Sequence, residues 1–262
     1  MSAQTAWVRQ KQLPLSLLVY GLLGLAAPTA GCGDGGESAS GAPPGSFHVR
    51  PTTNLPGARR FLILAEPGEV PAVADQLTAR GRSVGTLAPF GSHIFLGFGD
   101  FSNNTGPIRA VSYDVQTGRF QTGVPLETEE ILDFQVHAGR LFAAALDPLG
   151  DEALGSVFRL DSADAWRAMP DIPDAVHTFG MAEFRGQLFV GTGCVQGGKA
   201  RVAVTNDSGE NWYDSHITPG TATAFARYTH LGATDRELFV SGRIHGEPSM
   251  AFAYVWDGER WD

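Results

Sequence analysis

One loop combines several side chains that can do chemistry. Gly97-Phe98-Gly99-Asp100-Phe101-Ser102-Asn103-Asn104-Thr105-Gly106 sets an acid, two amides and two hydroxyls between two apolar segments. Oxygen-rich loops of this kind can bind calcium or a sugar. The spacing is not that of an EF-hand, and Asn, Gly and Ser are also ordinary turn formers. Asp100, Ser102, Asn103 and Asn104 are therefore the candidate ligand residues, set against a plain loop. A second chemistry needs two carboxyl groups flanking a glycosidic bond; Asp100, Asp133 and Glu183 are acids near strand ends that can supply them. His93, His137, His177, His216, His230 and His245 are scattered, and no pair has the close spacing of a zinc site. His245-Gly246-Glu247 reads as an exposed loop. Cys194, in GTGCVQGG after an apolar strand, reads as a small buried residue, since free cysteines are usually buried and inert. No Walker loop, dinucleotide fingerprint or G-x-S-x-G elbow is present, so no catalytic residue is assigned and no cofactor or metal is expected.

The elements that position these residues repeat. The apolar cores Ile94-Phe95-Leu96, Leu141-Phe142-Ala143, Leu188-Phe189-Val190 and Leu238-Phe239-Val240 place a Phe at steps of 47, 47 and 50 residues. A second marker, the closing aromatics Phe120, Trp166, Trp212 and Trp261, steps by 46, 46 and 49. Two markers that keep the same spacing through four units indicate a true repeat. Within a unit a short strand such as Ile131–Val136 comes first. A turn such as Ala138-Gly139-Arg140 or Arg185-Gly186-Gln187 follows, then the strongest strand, a glycine-rich loop and a strand such as Arg201–Val204. A polar turn leads to the closing aromatic. Short strands separated by turn residues indicate antiparallel sheet. Four strands in about 45 residues, repeated, predict an all-β, propeller-like fold of four four-stranded blades that bury their faces against each other. Arg59 to Arg82 falls outside the pattern: Phe61 to Ala65 reads as a strand, and Val70 to Arg80 as a short helix. Four blades make a small ring, so either this segment helps close it or the chain is a shortened version of a longer one.

Thr205-Asn206-Asp207-Ser208-Gly209-Glu210-Asn211-Trp212 resembles the Asp-box of BNR and sialidase-like propellers, Ser/Thr-x-Asp-x-Gly-x-Thr/Ser-Trp, with Asn211 in place of the hydroxyl residue. Leu160-Asp161-Ser162-Ala163-Asp164-Ala165-Trp166 is a degraded copy without the Gly, and Tyr113 to Phe120 and Val255 to Trp261 are looser. The resemblance implies that Thr205, Asp207, Gly209 and Trp212 are structural and lie away from a catalytic face. A sialidase of that family would need an arginine triad, a Tyr–Glu pair and an acid/base Asp. Arg109, Arg140, Arg185, Arg201, Arg227 and Arg243 are available, none in the family's Arg-Ile-Pro context.

The N-terminus is organised for export. Arg9 and Lys11 precede the apolar stretch LPLSLLVYGLLGLAA, Leu13 to Ala27, and small residues follow. That is the order of a secretory signal, and the stretch is short for a membrane span of about 20 residues. Thr29-Ala30-Gly31-Cys32 resembles the bacterial lipobox, whose cysteine is diacylated and becomes the mature N-terminus. Gly33, where some lipoproteins carry an inner-membrane retention Asp, favours the outer membrane if the source is Gram-negative. The glycine-, serine- and proline-rich stretch that follows behaves as a tether. The expected layout is a signal peptide at 1–31, a lipid-anchored linker at 32–57 and the repeat domain at 58–262.

The chain carries a net charge of −9, which becomes −11 without Arg9 and Lys11. Nucleic acid wants basic patches, so that partner class is excluded. With Cys32 acylated, Cys194 has no disulfide partner and the fold must rest on its own core. The functional expectation is an envelope-anchored lipoprotein, held to the membrane by its lipid, whose propeller binds a glycan, peptide or envelope protein. An Asp-box-type glycoside hydrolase and a structural component of the envelope are the alternatives.

Overall fold

The computed structural model describes Arg50–Pro51 and residues 62–262, apart from 150–154, 156, 163–164, 195–196, 220–222 and 247. The export segment, Cys32 and nearly all of the linker lie outside the described residues, as do Phe61 and residues 163–164 of the degraded turn. Residues Pro44–Asp262 form one compact unit. The protein is all-β, with 59% strand against 5% helix, and its antiparallel sheets include one curled into a half-barrel. No described helix is long and apolar enough to cross a membrane.

A two-stranded ribbon, β1 (Arg50–Pro51) and β2 (Leu62–Ile63), precedes a 3₁₀ turn at Pro67–Glu69 and a single helical turn, α1 (Pro71–Ala74). The expected helix from Val70 to Arg80 is thus cut to its first turn. Pro71 starts it well, but beyond Asp75 the side chains of Thr78 and Arg80 are engaged with Asp100 rather than with a continuing helix.

Three units read from the spacing are present strand by strand. The first unit is a four-stranded meander of β3 (Thr86–Phe90), β4 (His93–Gly97), β5 (Ile108–Asp114) and β6 (Arg119–Leu126). The second is β7 (Thr128–His137), β8 (Arg140–Pro148), β9 (Val157–Ser162) and β10 (Ala165–Ala168). The third is β11 (His177–Phe184), β12 (Gln187–Gly193), β13 (Lys199–Thr205) and β14 (Tyr213–Pro219). The fourth departs from expectation: β15 (Phe225–Ala233), β16 (Leu238–His245) and β17 (Met250–Trp256) are strands, and the fourth is reduced to one bridge, Trp256 to Trp261. The Gly193–Arg227 pairing also joins this sheet to the third, so the two are one seven-stranded sheet.

Burial follows position in the unit. The second strands of units two and three are covered on both faces: Leu141 to Leu146 are all buried, as are Leu188, Phe189 and Val190. The fourth strands β6, β10 and β14 form sheet edges and are mostly exposed or half-buried rather than buried. The turns between first and second strands in units two and three place Ala138-Gly139 and Arg185-Gly186 at positive φ. That is the hairpin geometry whose twist matches the flanking strands.

The turn from Thr205 to Trp212 closes on itself. The Thr205 hydroxyl donates to Asp207 Oδ1 at 2.7 Å and accepts the Gly209 N–H at 3.0 Å. Asp207 also accepts the Asn211 side-chain and backbone N–H groups, at 2.6 and 3.0 Å. The Asn211 side chain, with Thr205, holds the Asp207 carboxyl down at about 2. Asn211 therefore does the work of the hydroxyl residue it replaces. Two looser copies keep the same device: Asp114 accepts from the N–H groups of Gln116 and Thr117, and Asp257 from those of Glu259 and Arg260. In the degraded copy Asp161 is instead gripped by Arg140, Arg159 and Arg167. Buried Arg159 reaches on to the Ser208 carbonyl and Glu210, which locks the Thr205–Trp212 turn onto the second unit.

Candidate functional site

In each unit the first strand begins where the second ends, as the pairings Thr86–Gly97, Thr128–Pro148, His177–Gly193 and Phe225–His245 require. Successive units are joined at this same end. The Asp100 N–H donates to the Glu129 carbonyl at 3.1 Å, and Gly99 bridges Glu130. The Thr178 hydroxyl exchanges hydrogen bonds with the N–H and C=O of Ala145, both 2.8 Å. The Cys194 N–H donates to the Ala226 carbonyl at 3.2 Å. Polar side chains line up along these joints.

The sequence's candidate loop sits at the first joint. Asp100 is fully buried. Its carboxylate accepts from the Ser102 and Thr78 hydroxyls, both 2.6 Å, and from the Asn103 amide at 2.7 Å, with Arg80 at 3.7 Å. Burial alone would raise this carboxyl, but those hydrogen bonds and the Arg80 charge outweigh it and hold it at about 2. Ser102 and Asn103 are thus turned onto Asp100, while Asn104 closes the turn in left-handed geometry at φ 51°. These oxygens satisfy the loop itself. Glu130 is the neighbouring acid, reached by Arg80 at 3.4 Å and by the Phe101 N–H at 3.3 Å.

The three acids considered for glycoside chemistry are dispersed. Asp100 lies beside Glu130 at the start of β7, whereas Glu183 meets His137 Nδ1 at 3.2 Å at the end of that strand. Strand rise of about 3.3 Å per residue separates those ends by roughly 20 Å, well beyond the roughly 5–10 Å that a glycosidase pair spans. Asp133 is structural: it accepts the Met181 N–H at 2.8 Å and the Phe134 N–H at 2.9 Å, tying the first strands of units two and three together. Of the other residues singled out, Cys194 is buried with Sγ 3.7 Å from the Ala226 carbonyl. Arg140 pairs with Asp161, Arg185 lies over the Phe184 ring, and Arg201 is enclosed by Pro173, Asp174 and Asp214. No three His, Cys, Asp or Glu side chains converge for a metal among the described residues.

The joints also hold residues that the sequence did not single out as a group. Glu129 is buried, and its Oε2 has no hydrogen-bond partner among the described residues. Burial first, then the charges of Asp147 and Asp100, push its carboxyl up to about 7. Asp147, at φ 50°, lies against His177 Nδ1 in close contact but outside hydrogen-bond alignment. His177 Nε2 is 3.4 Å from Arg227. The Arg227 guanidinium lies 4.9 Å over the Phe225 ring and 5.7 Å from that of Phe179, and its Nε is without a partner among the described residues. Burial lowers its pKa against the pull of Asp147. His245 stacks on Phe225 with ring centroids 4.7 Å apart, its pKa lowered by burial and by the charges of Arg227 and Arg243.

A signal for this row exists in the repeat. Glu130, His177 and Arg227 each stand 12 residues before a marker Phe, and Asp100, Asp147 and Cys194 each stand 5 after one. Two repeat positions, read down the units, therefore give six residues of the joints.

Glu129 makes a pH prediction. Its folded carboxyl titrates near 7 against an ordinary 4.5. The native state then binds the extra proton between those values, so this group's contribution to stability falls as pH rises through that window. Each unit of such a shift is worth about 1.4 kcal/mol. Glu129→Gln is expected to match the parent in thermal unfolding at pH 5 and to be more stable than it at pH 8. Parallel curves at the two pH values would refute the assignment. No family model matches this chain, and no curated protein matches it.

Proposed function

We propose that the protein is an envelope lipoprotein, anchored through Cys32, whose repeat domain is an Asp-box-type propeller that binds a carboxylate-bearing glycan or peptide at Arg227. The ring reading is supported by the order of contacts. From the second unit on, first strands neighbour first strands, through the Met181 N–H on Asp133 and Gly180 against Thr229 and Leu231. The fourth strands lie outermost, mostly exposed or half-buried. The ligand reading is carried by one observation: the unpartnered Nε of Arg227, a half-buried guanidinium close to two aromatic rings and beside the His177 imidazole. A guanidinium so placed is suited to a planar anion, which it grips through parallel N–H groups. Hydrogen bonds to a charged group are worth about 1.5–3 kcal/mol, so Arg227→Met is expected to weaken binding to uronate- or sialate-bearing glycans or acidic peptides by roughly 10- to 100-fold. Array binding followed by calorimetry measures it. Silence on every carboxylate probe, or full binding by the variant, would sink this reading.

The hydrolase reading has one observation in its favour. The Glu129 carboxyl, pushed up to about 7, lies within electrostatic reach of Asp100, which is held at about 2, and divergent carboxyl pKa values mark acid/base pairs. Against it, Glu129 is closed off from solvent. Turnover of fluorogenic glycosides, lost in Glu129→Gln, would favour it over binding.

A further inference from the structure

Each unit has a trailing face, built around its marker Phe, and a leading face that covers the unit before it. Phe95, Phe142 and Phe189 are 8%, 0% and 2% exposed, each packed under the following unit, but Phe239 is 44% exposed. The partner position on the leading face is the first-strand residue paired across from the one after that Phe: Leu87, Phe134, Met181 and Leu231. Phe134 packs on Phe95 with ring centroids 6.5 Å apart, Met181 shares a core with Phe142, and Leu231 packs onto the core that holds Phe189. Leu87, with no unit before it among the described residues, is 61% exposed. The first and last units thus expose the two complementary halves of an interface that the chain already makes three times.

Two further features mark the last face as built for the same contact. The residue two after each Phe is small: Gly97, Ala144, Gly191 and Ser241. In the first and third units a Cβ there would stand 2.7 and 2.6 Å from a backbone carbonyl of the next unit, so close approach demands it. Ser241 keeps that smallness. Beside it and Phe239 a cavity of about 290 Å³ opens, lined also by Leu231, Val240 and Tyr254.

We propose that the trailing face of the fourth unit takes the leading face of the first unit in a second copy of this chain, Leu87 of one against Phe239 of the other. Both faces are open in the same molecule, so the first unit does not reach round to cover the fourth. A pair of copies related by a two-fold axis satisfies both contacts at once and closes a head-to-tail ring. Its eight units fall at the upper end of the range of about four to eight for such rings. The contact is independent of the Arg227 site.

The test uses the full chain in the membranes of cells producing it, with Leu87→Cys and Phe239→Cys and a short bismaleimide. The double variant, and the two single variants produced together, should give a cross-linked species of twice the chain mass. Each single variant alone should give none above the unsubstituted chain, which controls for Cys194. Cross-linking within one chain would mean that the ring closes on itself and overturns the proposal. So would cross-linking by Phe239→Cys alone, which requires the face to meet itself, or a ladder of higher masses, which requires an open filament. Absence of any product from protein that labels at both cysteines overturns it as well.

Discussion

Phe142→Ala should lower the unfolding free energy by about 3–5 kcal/mol, the usual loss for a large core aromatic. Phe142 is fully buried between units two and three, among Val157, Ile172, Met181 and Leu188. It also lies 3.3 Å from where a Cβ on Gly209 would stand, so it supports the Thr205–Trp212 turn from below. The same deletion at Phe239, measured on dilute protein, should cost less than half as much, because 44% of that residue's surface is already in water. Denaturant titration of the two variants side by side reads the difference directly. Equal losses would mean that the two positions are packed alike, and the unit-by-unit account of burial would fail.

Gly99→Ala is expected to have an effect of similar size by another route. Gly99 has φ 129°, a conformation that L residues avoid, and a Cβ there would stand 2.2 Å from the Glu129 carbonyl and 2.6 Å from the Glu130 Cα. The backbone strain costs about 1–3 kcal/mol, and the forced displacement of rigid backbone costs about 1–3 kcal/mol more. Because Gly99 pairs with Glu130, the shift would part the first two units where Asp100 and Glu129 sit. A lowered thermal midpoint should therefore come with faster hydrogen exchange at the Asp100 and Ile131 amides. Unchanged exchange at those two amides would contradict this account of the joint.

The strands were legible because their apolar cores recur at a fixed spacing, and spacing survives without knowledge of contacts. Phe95, Phe142, Phe189 and Phe239 located every second strand. The closing Trp261 promised a full last strand, but only a bridge to Trp256 forms. The candidate loop was legible as a place and not as a chemistry. Asp100 belongs to a hydrogen-bonded set that includes Thr78 and Arg80, 22 and 20 residues away, and no local pattern announces that. Glu129, Asp147, His177 and Arg227 were missed as a set because they are far apart in the chain. They meet only once the start of one unit's first strand is laid beside the end of the previous unit's second strand.

The turns closed by Asp114, Asp207 and Asp257 bear on the order in which the chain folds. Each Asp bonds partners only two to four residues away, so each hairpin is specified before any distant contact exists. Isolated hairpins close in about 1–10 μs, whereas pairing across long loops must first overcome closure entropy. The outer hairpins are thus expected to form early, and the docking of one unit's first strand onto the unit before it, where Gly99, Thr178 and Cys194 make their bonds, is expected to be the slower step.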